Sequence, residues 1–172
     1  MGQIIRFAAP PHDYPTMATA LDVAERLLLV AIRWWVAAFR RAEDPLPQLS
    51  ADMAAAGVDD AALSVDALMA VLARTARRTI DIHCPRCPSL TEDEQRLLHA
   101  TSLAQTGNAE LAERVLLTAL LTAQGAELAL MPIEGLGHVF AMAGLFFRRR
   151  QPALDDCSVE GWAPPALSSL LH

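Results

Sequence analysis

The chain has 172 residues, 53% of them apolar and 20% charged, and its 20 acidic side chains outweigh 14 basic ones, all arginine, to give a net charge of −6. This length supports one domain, which buries about 70% of the surface its unfolded chain exposes, while the composition and only three cysteines exclude disorder, collagen-like repeats and a disulfide scaffold. The acidic balance also argues against nucleic acid as a partner, because phosphate is repelled unless the arginines are segregated.

Residues 1–16 carry Pro10, Pro11 and Pro15 and read as a proline-rich arm, with room for a short extended piece at 3–7. The arm lacks a basic start followed by an apolar run, and Arg6 stands where a myristoylation pattern has Ser or Thr. A cytoplasmic location is the expectation. From Thr16 or Thr19 to about Arg41 the pattern is helical, with Asp22, Arg26, Arg33 and Arg40 on one polar stripe and apolar residues elsewhere. So narrow a stripe predicts the central helix of a bundle, with Arg33 at its surface. A short helix is expected at 49–56, stopped by Gly57, and another from Asp59 or Asp60 to about Arg78. Residues 79–82 predict a brief extended connection into the loop 83–90.

Thr91 with Glu94 forms a capping box for a helix ending at Gly107. Asn108 caps a further helix over 109–124, which Gly125 interrupts or ends, and Pro132 opens a last one over 133–150. Residues 151–172, with Pro152, Pro164 and Pro165, read as a tail. The expectation is an all-α, single-domain bundle of five or six helices over residues 17–150. The apolar runs without charge at 115–126 and 135–147 hold twelve and thirteen residues. A spanning helix needs about 20, so no membrane insertion is expected.

Leu103, Gly107, Ala112, Leu116, Ala119 and Leu120 resemble one tetratricopeptide hairpin. A shift of about 34 residues finds no second copy, so the segment reads as an ordinary helical hairpin.

The most specific chemical feature is His83-Cys84-x-x-Cys87. Two thiolates two residues apart on a proline-braced loop can chelate zinc, with His83 beside them and Cys157, His99 or His138 to complete a tetrahedron. Zinc is the one cofactor this pattern suggests. Buried, structural cysteines are the plainer reading. Cys84-Pro85-Arg86-Cys87 also resembles the active-site tetrad of thioredoxin-like oxidoreductases, which implies thiol–disulfide chemistry. Here Pro88 follows the pair and the helix cap comes only at Thr91. The all-α family of alkylhydroperoxidase D carries a similar CxxC closely followed by a histidine, whereas here the next histidine is His99.

Arginines close three expected helices, as Arg40–Arg41, Arg74 with Arg77 and Arg78, and Arg148, Arg149 and Arg150. Cations there complement the helix dipole, and convergent ends would form a basic pole for an anionic partner. Gly137, Ala141 and Gly144 share one helix line that the Trp34–Trp35 face is expected to fill; left open, that groove, with His138 beside it, would be a small-molecule pocket. No hydrolase, P-loop or dinucleotide-binding pattern occurs. The leading expectation is a non-catalytic helical protein acting through self-association or a protein partner, with the thiol loop and the inter-helix pocket as alternatives.

Overall fold

The computed structural model describes residues 13–150. A 3-10 turn, Ala18–Ala20, leads into α1 (Val23–Arg40), followed by α2 (Leu46–Ala55), α3 (Ala61–Thr75), α4 (Glu92–Gln105), α5 (Ala109–Ala119) and α6 (Ala123–Met142). The architecture is an all-α bundle. Among the described residues extended pairing is limited to two isolated bridges, Met17 with Ser89 and Ala76 with Leu121.

Local chemistry sets the helix starts. Thr91 Oγ1 accepts the Glu94 N–H at 3.0 Å and the Thr91 N–H donates to Glu94 Oε2 at 2.9 Å, so the expected capping box forms. A second box opens α1, where the Asp22 N–H donates to Glu25 Oε2 at 3.0 Å. Thr122 Oγ1 caps α6 by accepting the Gly125 N–H at 3.1 Å. At the other end of that helix Gly144 takes φ +72°, a left-handed geometry that a side chain would strain.

Gly125 does not break a helix and Pro132 does not begin one: both lie inside the continuous α6. A Cβ at Gly125 would stand 2.6 Å from Thr75 Cβ, so this glycine permits the close approach of α6 to α3. Pro132 leaves the Leu128 carbonyl without its helical donor, a loss opposed by the full burial of Ala129, Ile133, Leu136 and Phe140. α5 stops at Ala119 because the backbone beyond it pairs with the end of α3: the Arg77 N–H donates to Leu120 O at 2.9 Å and the Thr122 N–H to Thr75 O at 3.1 Å.

The centre of the bundle also differs from expectation. α6 packs on α3, α4 and α5, with its largest interface against α3, whereas α1 packs less extensively on α2, α3 and α4. The most extensive helix packing is therefore that of α6 and not of α1, although α1 buries Leu28, Leu29 and Ile32 while Val23, Val30, Trp34 and Phe39 on it stay exposed. Over residues 143–150 the chain is not helical. Gln105 fixes it instead, its Oε1 accepting the Phe147 N–H at 2.8 Å and its Nε2 donating to Leu145 O at 2.9 Å. Phe147 then packs on Phe140, ring centres 5.1 Å apart. Arg148, Arg149 and Arg150 thus lie on an irregular segment and do not end a helix.

Candidate functional site

The connection from α3 to α4 crosses the flank of α1, and there the chain buries a charge pair. Arg33, expected at the surface, is 2% exposed because this loop covers it. Its Nε and Nη2 donate to Glu94 Oε1 and Oε2 at 2.7 and 2.9 Å. Nη1 donates to Cys87 O and Nη2 to Ser89 O, both at 2.6 Å. Glu94, 0% exposed, also accepts the N–H groups of His83 at 3.0 Å and Thr91 at 2.9 Å. Each carboxylate oxygen thus takes two donors. Desolvating two charges is costly, and such a pair is tolerable only when its remaining hydrogen-bonding capacity is met, as it is here.

Asp93 repeats the arrangement one residue earlier. It accepts two bonds from Arg78 at 2.7 and 2.6 Å, one from Arg96 at 2.7 Å and the Asp81 N–H at 2.9 Å. Burial pushes its carboxyl upward, but the Arg78, Asp81 and Arg96 donors outweigh it and hold the group below the usual aspartate range.

Held in this way, the loop presents two free thiols, Cys84 exposed and Cys87 half-buried. The Cys87 N–H donates to Cys84 O at 3.0 Å, closing a four-residue turn around Pro85 and Arg86. Cys87 Sγ lies 3.5 Å from Ser89 Oγ, which lies 3.5 Å from His83 Nδ1; the same ring nitrogen is 3.0 Å from Ser89 O. Hydrogen bonds from Ser89, with help from the Arg33 charge, draw the Cys87 thiol below its ordinary value against burial and the Glu94 charge.

Among the described residues, no three His, Cys, Asp or Glu side chains gather around a point that could hold a metal ion. Of the expected zinc ligands, His83, Cys84 and Cys87 share the loop, Cys157 lies outside the described residues, and the alternatives His99 and His138 sit on α4 and α6.

The groove expected between the tryptophans and the glycine line is not formed. A Cβ at Gly137 would stand 2.8 Å from the backbone of Gln105, so this line faces α4, while Trp35 turns to α3 and donates Nε1–H to Asp66 Oδ1 at 2.7 Å. Trp34, His138 and Gly144 are exposed and Ala141 is half-buried. His138 lines a separate depression with Asp59 and Asp60.

The arginine clusters do not converge on one pole. Arg41 pairs with Glu43 at 2.7 Å and Arg78 with Asp93, while Arg150 donates to Glu25 at 2.9 and 2.7 Å and covers the Tyr14 ring at 4.4 Å. Glu25 and Arg41 mark opposite ends of α1, about 24 Å apart at 1.5 Å per residue. Arg77 reaches Leu117 O, and Arg40, Arg148 and Arg149 remain exposed.

Compared with protein-family models, curated proteins and solved structures, the chain has no significant match. No helix among the described residues is long and apolar enough to cross a membrane. Sequence reasoning missed Arg33, Asp93 and Ser89 as site residues and saw Glu94 only as a cap. The signal available was an arginine inside an apolar helical stretch together with a glutamate at the third position of a later helix.

Proposed function

We propose that the chain carries out thiol–disulfide exchange through Cys84 and Cys87, in a reducing compartment such as the cytoplasm, where the dithiol is the resting form. The observation that carries this reading is the use made of the buried Arg33–Glu94 pair: its spare donors and acceptors fix Cys87, Ser89, His83 and Thr91, which positions the thiols on a rigid support. Ends of a four-residue turn lie within about 7 Å, which overlaps the separation a disulfide bridges.

The Cys87 thiolate attacks one sulfur of a substrate disulfide, the substrate S–S bond breaks, and the leaving thiolate takes up a proton. Cys84 then loses its proton and attacks Cys87 Sγ, releasing the second substrate thiol and closing the Cys84–Cys87 bond. Incubation of Cys84→Ser with glutathione disulfide, followed by peptide mapping that keeps Cys157 apart, tests the order. The expected product is a mixed disulfide on Cys87, whereas the unaltered chain gives the Cys84–Cys87 bridge. Absence of both products overturns the reading.

A second reading, association with another copy of the chain, is favoured by the outer side of α6. Leu128, Met131 and Met142 recur there at helical spacing, 53%, 83% and 77% exposed, with the exposed His138 between them. Light scattering across concentrations tests it: concentration-dependent growth in mass that Met131→Glu abolishes supports the reading, and a strict monomer rejects it.

A further inference from the structure

A trough of about 510 Å³ lies between α4, α5 and the segment after α6, away from the thiol loop. Its lining combines Leu103, Leu111 and Val115 with Arg114, Arg149 and Arg150, and includes no Asp or Glu. That is unusual in a chain where acids outnumber arginines by 20 to 14. It is the local segregation of basic charge that the composition alone does not reveal. The Arg150 charge is met by Glu25, whereas no described acidic group pairs with Arg114 or Arg149. Leu111, 45% exposed, faces solvent beside them.

We infer that this trough binds a monocarboxylate bearing a medium-length apolar chain. A carboxylate matches the planar fork of donors that arginine offers, and Arg114 and Arg149 both line the trough. The apolar chain would cover Leu103, Leu111 and Val115 and remove their surface from water. The volume falls in the range of about 300–1,000 Å³ typical of small-molecule sites. The two parts of the lining ask for different parts of one ligand: arginines without an apolar bed would suit any anion, and leucines without the arginines any oil.

Calorimetric titration of the full chain with decanoate, held below its micelle concentration, tests the inference, with decanol and acetate as the two half-ligands. Saturable one-to-one binding of decanoate is expected, with each half-ligand weaker by about tenfold or more, the factor that about 1.4 kcal/mol represents. Arg114→Gln and Arg149→Gln should each weaken decanoate by a similar factor. Both positions are exposed and without a charge partner among the described residues, and unchanged circular dichroism would verify that each variant stays folded. Equal binding of decanoate and decanol, binding that survives both substitutions, or no saturable binding would each overturn the inference.

Discussion

Replacing Arg33 with methionine keeps an unbranched apolar stem in α1 and deletes the guanidinium. Four hydrogen bonds go with it: two to Glu94 and one each to the carbonyls of Cys87 and Ser89. Glu94 is left at 0% exposure with only the N–H groups of His83 and Thr91 for partners. Removing one member of such a pair costs about 3–5 kcal/mol, because the survivor is a buried charge without its counterion. Arg33→Met/Glu94→Gln removes both charges while the new amide oxygen still accepts from Thr91 or His83. The double variant should therefore be more stable than Arg33→Met by about 1–3 kcal/mol, the scale of coupling between contacting groups. Urea unfolding followed by circular dichroism at neutral pH measures both. A single variant within about 1 kcal/mol of the unaltered chain would put Arg33–Glu94 in the class of weak surface pairs and refute the reasoning.

Other residues make separate demands. Ser89→Ala removes the leading cause of the lowered Cys87 thiol, so the pH profile of Cys87 alkylation should move upward while that of Cys84 stays in place; an unmoved Cys87 profile would remove Ser89 from the site. Asp93 is held below its ordinary value, so its contribution to stability is complete above about pH 4, the unfolded aspartate value, and is lost as pH falls through the folded one. Asp93→Asn should accordingly show a shallower loss of stability on acidification below that point, and equal slopes would contradict the assignment. Gly137→Ala drives a Cβ to within 2.8 Å of the Gln105 backbone, which cannot rotate away, and should destabilise by about 1–3 kcal/mol. At Gly135 the new Cβ meets chiefly Ser64 Oγ at 2.9 Å, a side-chain atom that can turn aside, so thermal unfolding of Gly135→Ala should show the smaller loss.

The fold class was legible because helical periodicity and the Thr91–Glu94 box depend on neighbours in sequence, and both appear as expected. Pro132 and Gly125 misled for the opposite reason: tertiary packing on α3 overrode two local stop signals in α6. The thiol loop itself could be found from His83, Cys84 and Cys87. Its clamp could not, since Arg33 and Glu94 lie 61 residues apart and meet only after α1 and α4 have docked. The tryptophan–glycine groove failed similarly. Small residues announce that something approaches closely, but which helix arrives is decided by topology, and here it is α4. Arg114 drew no notice because a lone arginine on an amphipathic helix is unremarkable until the segment carrying Arg149 is laid beside it.

The state of the two loop thiols across a series of glutathione redox buffers is the most direct measure of the central claim. Acid-quenched alkylation and peptide mapping would report Cys84 and Cys87 separately. The account requires both to disappear together in one two-electron transition, as an intramolecular disulfide that reduction fully reverses while the helical circular dichroism is retained. Thiols that stay alkylatable throughout the series, or a bridge that forms only after unfolding, would contradict it.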